Sequence, residues 1–229
     1  MSDIQPLTLH KEMPLKGVRK FIAARLGKVW QEAVHVTLHK EVDVTSYYER
    51  KEQWPYSLMD YLLFGLVQVL KEERFVSFNG HFDGERFQSF SSVNLGVAFD
   101  HPKGLIVPVL HGAQELTMEA FVRARKEISG RVKAWKHTQQ ELEHGTFTVS
   151  NLGTMGIDTF TPILNPPQVA ILGLGRMRVE ARSWSWGEPP TPKALLPLSL
   201  TIDHRVLDGA DAARFLAGLE GRLSASWQG

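Results

Sequence analysis

The stretch Asp203-His-Arg-Val-Leu-Asp-Gly209 carries the densest chemical signal in this sequence, and it decides how the flanking residues are interpreted. An apolar segment, 195–202, precedes it and has the composition of a buried strand. After it, apolar residues recur at helical spacing from about 209 to 223. This spacing predicts a closing helix whose inner face is formed by Ala212, Phe215, Leu216, Leu219 and Leu223. The motif therefore occupies a strand-to-helix turn, where rigid elements can hold a side chain that still faces a cleft.

His204 lies in this turn and suits the role of a general base. An unperturbed imidazole has a pKa of about 6.5, so the neutral ring can accept a proton near pH 7, including the proton of a thiol with a pKa of about 8.5. A structural interpretation stays open from the residues alone. In that interpretation Asp208 is the N-cap of the helix, with Asp211 three residues on, and His204 is a hydrogen-bonded turn residue.

A second stretch, Gly145-Thr-Phe-Thr-Val-Ser-Asn-Leu-Gly153, predicts a strand at 146–150 that ends in a glycine turn. Along a strand, Thr146, Thr148 and Ser150 share one face, and the apolar residues between them share the other. A hydroxyl at the end of this polar row could stabilise a developing oxyanion. The same row is also typical of a solvent-facing threonine ladder on an antiparallel sheet, and composition does not separate the two.

The remaining patterns predict helices that are separated by runs of strands. Helices are predicted from Pro14 to about 30, at 57–73 and from 117 to about 136, and strands at 35–44, 93–99, 105–110, 169–173 and 177–183, with a hairpin region at 78–90. This order is typical of one α/β (α+β) domain in which helices cover a mixed sheet. Residues 1–13 predict an extended arm, which leaves 14–229 as the domain.

Composition excludes several classes of function. The 229 residues include 26 Lys and Arg against 25 Asp and Glu, and a net charge of +1 gives no reason to expect a nucleic-acid or membrane partner. The absence of cysteine excludes a disulfide framework, a cysteine nucleophile and cysteine-ligated metals, so any reacting thiol must belong to a substrate. No signal peptide or long apolar segment is evident, which predicts a soluble cytoplasmic protein, or a mitochondrial matrix protein if a transit peptide has been removed.

Three other features are weaker candidates for function. His35 and His39 are four residues apart, but a period of two places both on the polar face of a strand, so no metal site is predicted. Gly173-Leu-Gly175 lacks the third glycine of a dinucleotide loop, because Arg178 stands in its place. The tryptophans of the segment 184–190 predict an exposed hairpin tip.

Together the motifs resemble one family. The two stretches quoted above, the opening Pro14-Leu-Lys-Gly-Val-Arg-Lys-Phe-Ile-Ala23, the strand at 35–45, and Asn94-Leu-Gly-Val-Ala98 followed by Gly104-Leu-Ile-Val-Pro-Val109 occur in the order found in the catalytic domain of dihydrolipoamide acyltransferases of 2-oxo acid dehydrogenase complexes. The resemblance runs from about residue 13 to residue 220. It implies a chloramphenicol acetyltransferase-like two-layer sandwich, and a homotrimer with active sites at the subunit interfaces.

The resemblance also implies acyl transfer between dihydrolipoamide and coenzyme A. His204 would be the general base that deprotonates the attacking thiol, Ser150 would stabilise the oxyanion, and Asp208 would hold the loop or orient the site. Arg19 would be a charge partner of Asp208. Coenzyme A would take part as a substrate, and the lipoyl group would be supplied in trans.

Two features depart from the family. Its lipoyl and subunit-binding domains do not fit in residues 1–13, so we expect either a truncated catalytic core or an acyl arm carried by another polypeptide. Residues 219–229 lack the leucine-rich tail that joins trimers into larger cores, so a cage beyond the trimer does not follow from the sequence. Two other functions stay open: a non-catalytic core or assembly protein of such a complex, and a free-standing acetyltransferase of a small molecule. The motifs do not record which acyl group is carried.

Overall fold

The structure is a computed structural model that describes residues 8–183, 187 and 189–225, without the side chains at positions 18 and 21. The first seven residues of the predicted arm, the tryptophans of the predicted hairpin tip and the tail at 226–229 lie outside the described residues. So do the side chains of Val18 and Phe21. Their spacing with Ile22, Leu26, Val29 and Trp30 predicts an apolar stripe along the first helix. None of the helices in the described part of the chain is long and apolar enough to cross a membrane.

The elements follow the predicted order, with ends shifted by a few residues. The helices are α1 (Gly17–Glu32), α2 (Thr45–Glu49), α3 (Leu58–Leu70), α4 (Met118–Lys133) and α5 (Gly209–Ala225). The strands are β1 (His35–Asp43), β2 (Gly80–Phe82), β3 (Phe87–Ser89), β4 (Leu95–Val97), β5 (Phe99–His101), β6 (Gly104–Ile106), β7 (Val109–Leu110), β8 (Phe147–Asn151), β9 (Ala170–Leu174), β10 (Arg178–Arg182) and β11 (Thr191–Asp203).

One predicted strand pair, at 93–99 and 105–110, divides between two sheets. β4 pairs with β7 in the main sheet, whereas β5 and β6 form a separate hairpin of three residue pairs. Pro108 lies between the two ladders and accepts from Val97 through its carbonyl, but it has no N–H to donate. The ladder therefore breaks at Pro108, and the hairpin leaves the sheet.

The main sheet is mixed, as predicted. Its strands follow the order β1-β11-β9-β8-β4-β7, with β10 also pairing with β11. β8 runs parallel to both of its neighbours, β4 and β9, while β11 runs antiparallel to β1 and β9. β11 is the longest strand, at 13 residues, and it ends at the residue before His204.

Helices α3, α4 and α5 cover one face of this sheet. α3 is apolar around most of its circumference and is largely buried, and a capping box between Ser57 and Asp60 starts it. The buried Asp60 carboxylate also accepts a hydrogen bond from Arg125 of α4, at 2.8 Å, which ties the two helices together. The predicted inner face of α5 is confirmed, because all five residues named for it are buried.

A smaller layer, formed by α1 and the segment 156–168, lies on the opposite face. Val29 and Leu164 pack against Ile171 of β9. The ring of Phe160 lies so close to Gly173 that a Cβ there would stand 2.9 Å from it, which is the structural reason for this glycine. Other apolar residues of the predicted α1 stripe are exposed, and Trp30 keeps 61% of its surface.

Candidate active site

His204 is held at the end of β11, in the turn that leads into α5. Its backbone N–H donates to the carbonyl of Val34 at 2.8 Å, which fixes the chain where the imidazole emerges. Its Nδ1 atom lies 3.7 Å from a carboxylate oxygen of Asp208, four residues later in the same turn region. This separation is an electrostatic contact rather than a hydrogen bond. The ring remains 40% exposed, so the histidine is both anchored and accessible.

The structure gives the carboxylates of the predicted helix cap other partners. Asp208 precedes α5, and its backbone carbonyl accepts the first helical hydrogen bond, from Ala212. Its side chain faces His204, while the carboxylate of Asp211 pairs with Arg214. The side chain of Asp208 therefore lies nearest the His204 imidazole, and that of Asp211 is engaged by Arg214 rather than by a capping box.

Asp203 and Arg205 lock the turn on both sides of His204, and this pair was not predicted. Asp203 is buried, with 4% of its surface exposed, and it accepts from Arg205 Nε at 2.9 Å and Nη2 at 2.6 Å. Burial raises the pKa of Asp203, but the hydrogen bonds from the Arg205 side chain and backbone outweigh it and bring the pKa below its usual value. The guanidinium also lies over the ring of Phe82, 4.7 Å from its centroid.

Ser150 lies on β8, on the face that carries the predicted polar row. Thr146 and Thr148 in this row are buried, so the row is not a solvent-facing threonine ladder. β8 lies between two parallel neighbours in the sheet, which also excludes the antiparallel ladder. Ser150 is half-buried, and its position at the end of the row leaves it accessible.

A polar network that runs from the buried Thr148 to the exposed Arg25 supports this strand from the opposite layer. The hydroxyl of Thr148 donates to Gln168 Oε1 at 2.6 Å and accepts from Asn165 Nδ2 at 3.1 Å. The amide oxygen of Asn165 in turn accepts from Arg25 of α1 at 3.1 Å. These bonds join α1 and the segment 156–168 to β8, two residues before Ser150. Only the tertiary structure brings these residues together, since they are far apart in the sequence.

Ser150 opens into a cavity of about 550 Å³ between α1, the β5–β6 hairpin and the segment 156–168. Its walls are mainly apolar, with Ile22 and Leu26 on one side and Leu105 and Val107 on another. The basic residues Arg19, Arg25 and Lys103 also line it. Such a cavity, apolar with a few polar groups that include the hydroxyl of Ser150, suits an aliphatic chain that carries a reactive group at its end.

Ser150 on β8 and His204 after β11 are separated by one intervening strand, β9, and lie at different levels along the strand direction. Ser150 is paired with Gly173 of β9, and Gly173 with Ser199 of β11, four residues before Asp203. The path from Ser150 to Asp203 crosses two interstrand spacings of about 4.8 Å and then runs four residues, of about 3.3 Å each, along β11. Because the two directions are roughly perpendicular, the Cα atoms of Ser150 and Asp203 lie roughly 16 Å apart. Within one chain the predicted site residues therefore fall into two separate groups, called half-sites below: Ser150 forms one, and His204 with Asp208 forms the other.

The other predicted site residues take separate places. Arg19 lies at the cavity with Ser150, so the described chain does not pair it with Asp208. His39 contacts the hydroxyl of Ser199 at 2.8 Å, and His35 accepts from the backbone N–H of Leu164 at 3.3 Å. Within the described ranges, no group of three or more histidine, aspartate and glutamate side chains is placed to hold a metal ion.

Comparison with known proteins identifies the family of this fold and site. The model of the 2-oxoacid dehydrogenases acyltransferase (catalytic domain) family matches residues 8–228. The chain belongs to this family. A dihydrolipoyllysine-residue acetyltransferase component of the pyruvate dehydrogenase complex from Mycoplasma capricolum is 33% identical over 93% of this chain and 50% of its own length. The corresponding component from Haemophilus influenzae is 35% identical over 91% of this chain and 38% of its own length. The chain thus spans half or less of these two family members.

Solved structures confirm the family's fold in this chain. A dihydrolipoamide acetyltransferase of Azotobacter vinelandii, studied for the role of a serine, a histidine and an asparagine in its catalytic mechanism, superposes with a TM-score of 0.83 at 29% identity, covering 98% of this chain and 97% of its own. The cubic core of a pyruvate dehydrogenase multienzyme complex superposes with a TM-score of 0.81, at 29% identity and 97% coverage of both chains. A chloramphenicol acetyltransferase, 13% identical over 87% of this chain and 94% of its own, has a TM-score of 0.58, which confirms the predicted fold alone.

Proposed function

We propose that this chain is the catalytic domain of an acyltransferase that moves an acyl group between dihydrolipoamide and coenzyme A. The observation that carries the proposal is the spacing of three side chains. In the Azotobacter vinelandii enzyme the asparagine follows the histidine by four positions, and the serine precedes it by 52. Here Asp208 follows His204 by four positions, and Ser150 precedes His204 by 54. We infer that His204, Ser150 and Asp208 are the catalytic residues.

The proposed reaction needs no nucleophile from the protein. The imidazole of His204 takes the proton of one substrate thiol, and the sulfur forms a bond to the carbonyl carbon of the other substrate's thioester. The carbonyl oxygen becomes an oxyanion, to which the hydroxyl of Ser150 donates a hydrogen bond. When the carbonyl reforms, the C–S bond of the original thioester breaks, and the departing sulfur receives the proton from the imidazolium. A chain without cysteine suits this exchange between two substrate sulfurs.

Asp208 supports the histidine in this scheme. Its carboxylate lies on the Nδ1 side of the ring, so it favours the tautomer that carries the proton on Nδ1. Nε2, on the other side of the ring, is then the atom that accepts the thiol proton. The same carboxylate stabilises the imidazolium that forms, as an acidic residue does behind other catalytic histidines.

We further propose that the active site is completed between subunits of a homotrimer. The two half-sites of one chain are too far apart to act on one carbon. Both lie beside exposed apolar residues, which belong to α1 or follow its end. Leu26 lines the serine cavity, Val34 holds the backbone of His204, and Trp30 lies between them in the sequence; all three are exposed. A face of this kind is typical of a subunit contact. The relative that forms a cubic core supports an assembled state.

The substrates fit the chemistry of the cavity. Its apolar walls suit the aliphatic arm of a dihydrolipoyl group, which would extend its thiol towards Ser150. We propose that the arm is brought by a lipoyl domain or as free dihydrolipoamide, and that coenzyme A is the second substrate. The relatives' acetyl transfer makes acetyl the first acyl group to test.

Activity is tested by giving the purified chain acetyl-CoA together with dihydrolipoamide, or with candidate amines and alcohols. Transfer to dihydrolipoamide is expected, and His204→Ala is expected to lower kcat by about 10²–10⁴-fold without changing the oligomeric state. His111→Ala, which removes an exposed histidine outside both half-sites, serves as the control. Transfer to amines or alcohols alone would indicate a free-standing acetyltransferase. No transfer from acetyl-CoA or from a panel of longer acyl-CoAs would indicate an assembly protein.

Mixing two inactive variants tests the shared site. Ser150→Ala and His204→Ala chains are co-expressed in equal amounts, so that mixed trimers form. If each site takes its serine from one subunit and its histidine from the next, mixed trimers regain roughly a quarter of wild-type activity, because one interface in four holds both intact residues. A mixture as inactive as its two parents would refute the shared site.

A further inference from the structure

The end of α4 departs from the usual chemistry of a helix terminus. The N–H of Trp135 donates to the carbonyl of Val132 at 2.9 Å, and that of Lys136 to the carbonyl of Arg131 at 2.8 Å, which together make a Schellman motif. In this motif the position of Trp135 needs a left-handed backbone, and its φ is +55°. Glycine usually occupies that position because a Cβ is unfavourable there. A tryptophan persists in such a conformation only where other contacts hold it.

The indole of Trp135 packs against the β5–β6 hairpin. Its ring centroid lies 4.5 Å from that of His101 in β5, and the ammonium nitrogen of Lys103 lies 4.9 Å from it, in the turn. The backbone N–H of Lys103 donates to His101 Nδ1 at 3.1 Å, so these two contacts act on the same turn. His137 packs edge-on against the indole, at 4.9 Å between centroids.

This hairpin forms one wall of the Ser150 cavity. Lys103, Gly104 and Leu105 are among the residues that line it. The hairpin itself consists of three residue pairs outside the main sheet, and a two-stranded hairpin of that size is marginally stable in water. Its position therefore depends on contacts such as the one with Trp135.

We propose that Trp135 is a positioning residue of the acyl-transfer site, which holds the hairpin wall against the aliphatic arm of the dihydrolipoyl substrate. The proposal rests on the proposed function for the identity of that substrate. Trp135 acts through Lys103 and its neighbours and does not touch the reacting atoms. This role explains why a tryptophan occupies the left-handed position. Glycine would suit the backbone at the helix end but would remove the indole that packs against His101 and Lys103.

The kinetic test uses Trp135→Gly, which suits the left-handed backbone, and Trp135→Phe, which keeps an aromatic face. The glycine variant is expected to raise KM for dihydrolipoamide about threefold to tenfold, with kcat and KM for acetyl-CoA within about twofold of wild type. The phenylalanine variant is expected to have a KM for dihydrolipoamide between those of the wild type and Trp135→Gly. Lys136→Ala, which changes the next residue of the same turn, is the matched control. A KM for dihydrolipoamide that stays at the wild-type value in Trp135→Gly overturns the proposal, whatever happens to its melting temperature.

Amide hydrogen exchange supplies a readout that does not depend on turnover. In Trp135→Gly, segment 99–106 is expected to exchange at least about threefold faster, while the centre of α4 keeps its wild-type rate. Unchanged exchange in 99–106 would overturn the proposal. If Trp135→Gly does not fold, Lys103→Met keeps the side-chain length, removes the cation over the indole, and is held to the same exchange criterion. If the wild-type chain transfers no acyl group, the proposed function fails, while the exchange result still decides whether the indole clamps the hairpin.

Discussion

Removing the guanidinium of Arg205 tests the turn that carries His204. In Arg205→Ala the buried carboxylate of Asp203 loses two charged hydrogen bonds but keeps the one from the backbone N–H of residue 205, at 3.1 Å. Breaking a buried ion pair by removing one partner costs about 3–5 kcal/mol. Because Arg205 is about one-third exposed and one hydrogen bond survives, we expect a loss near the lower end, about 3 kcal/mol.

The assay is urea unfolding at fixed protein concentration, followed by far-UV circular dichroism. The matched control is Arg214→Ala, which removes the guanidinium from Asp211, a pair that is largely exposed on both sides. That variant is expected to change the free energy of unfolding by less than about 1 kcal/mol. Equal losses in the two variants would show that burial of Asp203 does not set the cost of removing its partner.

The effect of pH gives the same prediction a second signature. In the wild type the pKa of Asp203 is lowered in the folded state, so its contribution to stability is present above its unfolded pKa and is lost as the pH falls through the folded pKa. Without the guanidinium, burial of this carboxyl is opposed only by backbone hydrogen bonds, so we expect its pKa to be higher in the variant than in the wild type, and protonation at low pH relieves part of the loss of stability. The difference between wild type and Arg205→Ala should therefore be smaller at pH 4 than at pH 8. A difference that does not vary with pH would contradict the assignment to Asp203.

Three further outcomes are expected from unfolding measurements. Thr148→Val leaves the buried amide of Gln168 and the partly buried amide of Asn165 without their shared hydroxyl, and we expect a loss of about 1–3 kcal/mol in the free energy of unfolding. A loss below about 0.5 kcal/mol would show that these hydrogen bonds are not needed for stability. Gly175→Ala would place a Cβ 1.7 Å from a backbone oxygen, and a loss of about 3 kcal/mol is expected, whereas Gly221→Ala, in open space on α5, should gain about 0.5–1 kcal/mol. The pKa of Glu141 is lowered in the folded state, chiefly by its hydrogen bond from Arg131. The contribution of Glu141 to the free energy of unfolding is therefore present above its unfolded pKa and is lost as the pH falls through its folded pKa. Glu141→Gln should flatten the pH dependence of stability over this acidic range.

Local patterns in the sequence predicted most of the helices and strands. The alternation at 36, 38, 42 and 44 predicted β1, because a strand exposes successive residues to opposite faces, and Val42 and Val44 are fully buried. The proximity of His204 and Asp208 was also within reach of sequence reasoning, because the two residues are four positions apart. The Asp203–Arg205 pair could have been found in the same way, from opposite charges two residues apart at the end of a buried strand.

Other features depended on contacts between distant segments. The network from Arg25 through Asn165 to Thr148 joins three parts of the chain, and no local pattern marks it. The left-handed Trp135 was not predicted, since glycine is the residue that signals such a helix end. The division of the strand pair at Pro108 followed from one missing N–H within a ladder whose register the sequence does not record.

The sequence by itself determined the order of the elements and the proximity of His204 to Asp208, because both depend on residues that are neighbours along the chain. The order of several motifs along the chain also indicated the family. The tertiary structure alone decided that Ser150 lies roughly 16 Å from the end of β11, because strand order and register are set by the packing of the whole sheet. That separation is the reason to look for the complete active site between two copies of the chain.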